Sequence, residues 1–279
     1  MDIDRFRTGL ADIYGGDLGA DHPVDRRFRK LMDDVPGMAS ENKLALLNFA
    51  ASLLPPDEAY LEVGSFKGLS IIAAMLDNER GSFYAIESFR EFGVDPESTR
   101  RELEDNLHRW GVRDRLHLLV GDSFRLLHGN RTLRSRIGVY FYDGNHGRLP
   151  HHLAFGIVEP LLADQALVVI DDASWPVVRS TSQAYARSHP RYELLFDLPS
   201  EREFDPKWWN GLLVYGYRRP SVPRQGTDMG LAWRRIAYLY GYEPVTYAAG
   251  KVLAGRPRLT SAVKRLLPLS GRRVKGREG

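Results

Sequence analysis

The stretch Tyr60-Leu61-Glu62-Val63-Gly64-Ser65-Phe66-Lys67-Gly68-Leu69-Ser70 constrains the fold of this chain more than any other. It reads as an apolar strand that enters a glycine turn and leaves as a helix over Leu69 to Leu76. Gly64 and Gly68 remove side chains where the backbone must bend and where a ligand can lie against it, and the helix start offers unpaired N–H groups. That geometry predicts a nucleotide-type pocket. The spacing is Glu-x-Gly-x-x-x-Gly rather than Gly-x-Gly-x-x-Gly, which fits a dinucleotide pyrophosphate poorly. An ordinary βα turn that happens to hold two glycines explains the stretch equally well when it is read alone.

Strand and helix then alternate. Ser82 to Glu87 reads as a second strand, Pro96 to Trp110 as a helix stopped by Gly111, and Leu116 to Val120 as a third strand before Gly121-Asp122-Ser123. A fourth strand, Ile137 to Tyr142, exits into Asp143-Gly144-Asn145-His146; a helix over Leu149 to Leu162 breaks near Pro160. Gln165 to Ile170 is a continuous apolar run ending in Asp171-Asp172, of the kind buried on both faces. A helix over Thr181 to Arg187, a strand over Arg191 to Leu198 and a closing strand over Trp209 to Tyr217 complete the pattern. The expected fold is α/β: a doubly wound, Rossmann-like, mostly parallel seven-stranded sheet, with an N-terminal helical cap and a basic C-terminal helical extension. The expected divisions are 1–59, 60–219 and 220–279.

The cap should hold a helix from Asn42 to Leu53 behind a Ser40 N-cap, preceded by the turn Pro36-Gly37-Met38-Ala39-Ser40. From Arg218 onward there are 14 Lys and Arg against three acids, whereas the preceding residues carry 25 bases against 33 acids. A polyanion or a membrane surface would therefore meet the tail, where helices are expected over Met229 to Tyr242 and Thr260 to Leu267 and disorder over Gly271 to Gly279. The tail can equally pack on the acidic body or mediate dimer contacts. With no cysteine, thiolate metal sites, disulfides and a cysteine nucleophile are excluded, and a reducing, cytoplasmic setting is expected. The first residues lack a signal-like apolar core, and no run reaches the ~18 apolar residues of a membrane span.

In a doubly wound sheet, ligands bind at the carboxyl ends of the strands. Glu62, Glu87, Asp122, Asp143 and Asp171/Asp172 all fall at such ends, whereas randomly placed acids would fall at both. Glu87 follows Gly68 at close to the ~20-residue interval that places an acid on a ribose; a solvated strand-end acid is the alternative. Asp122 also reads as an N-cap.

The ordered set Leu61–Ser70, Ile86-Glu87, Gly121-Asp122-Ser123, Tyr142–His146 and Ile170-Asp171-Asp172 resembles the class I S-adenosylmethionine (SAM)-dependent methyltransferases, over Met38 to Tyr217. The resemblance is to the metal-assisted O-methyltransferases of the macrocin and sugar type, which act on small molecules. It implies SAM as cofactor, held by Met38, Ser40, Glu62, Gly64, Ser65, Gly68, Ser70, Glu87, Ser88, Gly121, Asp122, Ser123 and Asp143. It further implies a divalent cation, Mg²⁺ above all, on Asp143, Asp171 and Asp172, and a hydroxylated small-molecule acceptor. Adjacent strands ~4.8 Å apart let those acids converge, and oxygen ligands favour a hard ion; capping and salt bridging are the competing uses.

Where many relatives carry a second acid, this chain has Asn145-His146. Asn145 then becomes a candidate ligand and His146, with an ordinary pKa near 6.5, the candidate base, ahead of His151 and His152. Trp175, Phe204, Trp208, Trp209 and Asn210 fall where acceptor-binding insertions occur in this fold, or else belong to the core. No nucleic-acid partner is expected, because the body is acidic and lacks the Asn/Asp-Pro-Pro-Tyr/Phe motif; a homo-oligomer is compatible with the sequence. Two other readings are a nucleic-acid methyltransferase and a non-catalytic anion- or membrane-surface module acting through the tail. If the chain is an enzyme, deleting 220–279 should spare SAM binding.

Overall fold

The computed structural model describes residues 1–90, 95–128, 133–220 and 229–254, with side chains as far as residue 248. Three helices, α1 (Ile3–Gly9), α2 (Arg27–Asp34) and α3 (Glu41–Ser52), precede β1 (Glu58–Val63). Next come α4 (Leu69–Met75), β2 (Ser82–Glu87), α5 (Pro96–Arg109), β3 (Leu116–Val120), α6 (Ser123–Leu126), β4 (Arg136–Tyr142) and α7 (Arg148–Val158). β5 (Leu162–Ile170), α8 (Pro176–Ser188), β6 (Tyr192–Leu198) and β7 (Leu212–Arg218) complete the sheet. Then α9 (Met229–Ala237), a π-helical turn Tyr238–Tyr242 and α10 (Glu243–Ala254) follow. The expected helix over Thr260 to Leu267 and the basic Gly271 to Gly279 lie outside the described residues.

The sheet has seven strands in the order β3-β2-β1-β4-β5-β7-β6. β1 to β5 are mutually parallel, and β7 runs antiparallel to both neighbours. The winding reverses between β1 and β4, so the ligand crevice of such a sheet lies beyond Val63 and Tyr142. β7 begins at Leu212, three residues later than the sequence suggests, because Trp208–Gly211 forms a turn with φ of +58° at Trp209 and +84° at Gly211.

Side chains alternate across the pleat, so each strand feeds two cores. Tyr60, Phe83, Val139, Phe141 and Val169 pack under α1 to α5, and Leu61, Tyr84, Tyr140, Val168 and Tyr215 under α7 and α8. The N-terminal helices share the first of these cores: Ile3, Phe6 and Leu10 are buried there, and the Phe6 ring meets Phe196 of β6 edge-on at 6.0 Å. On the other face α6 has only four residues. Tyr238 and Leu239 of the C-terminal extension fill the space beside it, with Tyr238 edge-on to Phe124 at 4.8 Å.

Candidate active site

Four backbone hydrogen bonds set the expected acids in one row. Gly121 N donates to Glu87 O, Gly64 N to Ile86 O and Asp143 N to Val63 O, each at 2.9 Å, and Asp171 N donates to Tyr142 O at 3.0 Å. The strand ends are thus stitched edge to edge, and of their acids Asp143 and Asp171 line the cavity beside the glycine turn. Gly64 permits this: its φ is +92°, and a Cβ there would stand 2.1 Å from Asp143 O. Gly68, at φ +95°, opens α4. Gly37, Met38 and Ala39 from the turn before α3, Ser65, Phe66 and Ser70 from the glycine turn, and Lys43, Asp143 and Asp171 line the cavity between them.

Several expected cofactor residues serve the loops themselves. Glu62 is fully buried beneath the turn, where it accepts from Ser70 Oγ at 2.8 Å and from Tyr60 Oη at 3.2 Å; burial pushes its pKa up to about 7. Glu87 accepts from Phe66 N and Phe89 N, both at 2.8 Å, one on each oxygen. Each oxygen keeps a further lone pair for a ribose hydroxyl. Ser88 Oγ accepts from Arg90 N at 3.3 Å. Asp122 caps α6 by accepting from Arg125 N at 3.0 Å, and the Tyr238 hydroxyl faces the same carboxylate. Gly121 (φ +147°) and buried Ser123 flank it. Ser40 departs from its expected role: its hydroxyl accepts from Lys43 N and donates to Lys207 O at 2.6 Å, which turns it away from the cavity. Ser65 Oγ is buried beside the cavity and faces the Glu62 carboxylate, whose charge it favours.

The acid cluster differs from the expected Asp143–Asp171–Asp172 ligand set. Asp171 Oδ2 lies 2.6 Å from Lys43 Nζ, with side-chain exposures of 2% and 1%, so this carboxylate already has its cation. Burial opposes the Lys43 charge, but Asp171, and after it Asp143 and Asp172, outweigh burial and raise its pKa. The groups whose donor atoms all approach within 4.8 Å of one another are Asp143, His146 and Asp172. Two carboxylate oxygens and an imidazole nitrogen can hold a divalent cation, although the nitrogen favours a transition ion over the Mg²⁺ that an all-carboxylate set would prefer.

His146 Nε2 lies 3.1 Å from Asp172 Oδ2 and 3.6 Å from Asp143 Oδ1, charge contacts rather than aligned hydrogen bonds. Burial opposes its protonation, yet the two carboxylates prevail and raise its pKa to about 10. The ring is therefore a cation at neutral pH, which corrects the expectation of a free base near 6.5. The Asp143 side chain keeps 31% of its surface open to the crevice; loss of water around the carboxylate and then the Asp171 charge push its pKa well up. His151, which is fully buried, is pushed down to about 3 by burial and by the His146 charge, and so stays neutral.

Asn145 is exposed, and its Oδ1 accepts from Gly147 N at 3.0 Å, a turn contact ahead of α7 rather than a place in the cluster. Asn210 also differs from expectation: it donates to Asp172 Oδ1 at 2.8 Å and so orients that carboxylate. Trp175 packs against His146 at 4.7 Å, and Trp208 is core, against Tyr14. Phe204 and Trp209 stack on each other at 5.1 Å, with Phe204 half exposed. Lys43 and the Asn210–Asp172 contact were not anticipated. Periodicity could not have marked Lys43, because α3 is buried almost all round, Glu41, Asn42 and Asn48 included.

Comparison with known proteins decides the class. A family signature described as a methyltransferase domain matches residues 61–173. The matched stretch runs from β1 to the exit of β5 and so reads as a methyltransferase domain. No curated protein sequence matches it. The methyltransferase domain and its helices resemble cofactor-bound Rv0187 from MTB, with a TM-score of 0.54 and 18% identity over 78% of this chain and 97% of that one. The O-methyltransferase TomG from Streptomyces achromogenes, involved in tomaymycin synthesis and solved with SAM, gives a TM-score of 0.53 and 20% identity over 78% of this chain and 100% of its own. An O-methyltransferase from Bacillus cereus in complex with SAH gives 0.52 and 12%, over 76% and 96%. At such identities the likeness is one of fold. The match sets aside the reading of the chain as a non-catalytic module. Among the described residues no helix is long and apolar enough to cross a membrane.

Proposed function

We propose that this methyltransferase moves the SAM methyl group to a hydroxyl of a small molecule, a sugar or natural-product scaffold, with a divalent cation on Asp143, His146 and Asp172. The observation that supports the reading is the row of strand-end groups, of which Gly64, Ser65, Asp143 and Asp171 line one cavity, with Asp143 shared by the three-ligand cluster. In this reading the methionine end of the cofactor would lie against Met38, Gly64, Ser65 and Ser70, and Glu87, Ser88 and Asp122, along the same edge of the sheet, would take its nucleoside. Bound SAM supplies an electrophilic methyl on a sulfonium, and a bound cation such as Mg²⁺ acidifies a coordinated hydroxyl.

The chain's own residues position and shield. Glu62 and Glu87 fix the glycine turn, Asn210 holds Asp172, and Lys43 neutralises Asp171 so that it does not add a third charge to the cluster. Asp143 lines the cavity and belongs to the cluster, which supports it as the group that takes the acceptor's proton. Transfer disperses the sulfonium charge, so alignment of donor and acceptor in a site closed to water is the main demand on the protein. The solved O-methyltransferases of similar fold support the oxygen acceptor. Incubation with SAM, Mg²⁺ and a panel of sugars and hydroxylated metabolites should give products heavier by one methylene unit, lost on addition of EDTA. Methylation of RNA or DNA alone, or turnover indifferent to EDTA, would count against the acceptor and the cation respectively.

A further inference from the structure

The C-terminal extension touches three of the loops that leave the carboxyl edge of the sheet. Tyr238, 5% exposed, sets its ring edge-on to Phe124 and its hydroxyl against the Asp122 carboxylate, after β3. Tyr242 stacks on Tyr238 at 5.7 Å, and its hydroxyl lies 3.4 Å from Asn145 Oδ1, after β4. The contact there is close, since a Cβ on Gly147 would fall 2.5 Å from that hydroxyl. Glu243 pairs with Arg90, after β2, and the Arg90 guanidinium sits 5.2 Å from the centre of the Tyr247 ring. One short segment thus ties together the exits of β2, β3 and β4.

From these contacts we propose that residues 238–247 brace the nucleoside half of the cofactor site, with Tyr238 as the positioning residue for Asp122. The proposal rests on the SAM reading above. A helix of four residues cannot hold its own first turn rigid, because nucleation is costly and so few hydrogen bonds follow it. Its cap, Asp122, is one of the residues that the resemblance assigns to the cofactor, and the Tyr238 ring and hydroxyl supply the missing constraint from outside the matched residues. Tyr242 and Glu243 do the same for the flanking loops. The extension then belongs to the binding site, which reverses the expectation that its deletion spares SAM binding.

The test is calorimetric titration of the full chain with SAM, SAH and 5′-methylthioadenosine, the last a probe that keeps the nucleoside and lacks the amino acid. Tyr238→Phe keeps the ring and removes the hydroxyl. Its Kd for all three ligands should rise by a common factor of about five. Arg90→Ala, at a site 54% exposed and far from the core, should weaken the same three about threefold. In the unaltered chain 5′-methylthioadenosine should slow hydrogen exchange across 238–247, which a merely space-filling segment would not show. Unchanged Kd values in both variants, with exchange unaffected, would overturn the brace while leaving the SAM reading intact. Failure of the unaltered chain to bind any of the three would overturn both.

Discussion

Replacing Lys43 by Met tests the inner architecture of the site most severely. The Lys43–Asp171 pair is closed from water on both sides, at 1% and 2% exposure and 2.6 Å. Removing one partner of such a pair leaves a buried charge without compensation, at a cost of about 3–5 kcal/mol. The cost should fall at the upper end, because Asp143 and Asp172 already crowd Asp171 with like charge. The variant would also acquire a pH dependence of defined sign. Without Lys43 the folded-state pKa of Asp171 rises further above its unfolded value. The deficit should then shrink on acidification toward pH 4 and grow as the pH climbs through the raised value. Urea unfolding of the chain, Lys43→Met and Lys43→Met/Asp171→Asn across pH 4.5–8 measures both effects. The double variant should recover most of the loss. A single-variant loss below about 1 kcal/mol, or a double variant no more stable than the single, would refute a buried ion pair here.

Three further outcomes follow from the same geometry. The pKa of Glu62, about 7 against an ordinary 4.5, means that the folded chain favours its protonated form. Its contribution to stability should be complete below pH 4.5 and lost as the pH rises through 7, by about 3 kcal/mol; Glu62→Gln should flatten that part of the unfolding profile, and an unaltered slope would contradict the assignment. Gly64→Ala forces a Cβ against Asp143 O at positive φ, so it should cost about 1–3 kcal/mol from backbone strain alone and weaken SAM at least tenfold; wild-type affinity would argue against the close approach of β1 and β4. Because His146 is held protonated, at about 10, and the Asp143 carboxyl is also pushed up, loading Mg²⁺ or Mn²⁺ at pH 7.5 should release at least one proton per ion, read from calorimetry in buffers of different ionisation enthalpy. No proton release, or unimpaired loading in Asp172→Ala, would contradict the ligand set.

The sheet and the row of strand-end acids were legible because both follow from local pattern. Apolar runs of strand length, glycines at the turns and acids at the run ends need no knowledge of distant neighbours. The partners of those acids were hidden for the opposite reason. Lys43 meets Asp171 across 128 positions and Asn210 meets Asp172 across 38, so no spacing rule links them. The basicity of His146 was misjudged from its ordinary pKa, because two carboxylates reach it only once the β4 and β5 exits stand side by side. For Ser40 and Asn145 the local use prevailed: a helix cap and an Asx-type turn take the polar atoms that a cofactor or an acceptor was expected to take. For the extension the helix over Met229 to Tyr242 and its packing on the body were among the expectations, but not which rings make the contact, Tyr238 and Tyr242, because their partners lie far off in sequence.

The central claim, that the crevice beyond β1 and β4 is a SAM site, is tested most directly by titrating SAM into the purified chain. The account predicts one saturable site per chain, absent in a folded Gly64→Arg variant whose side chain would occupy the space above Asp143 O. A folded wild-type chain that takes up no SAM, or a Gly64→Arg chain that binds it as well as wild type, would contradict it.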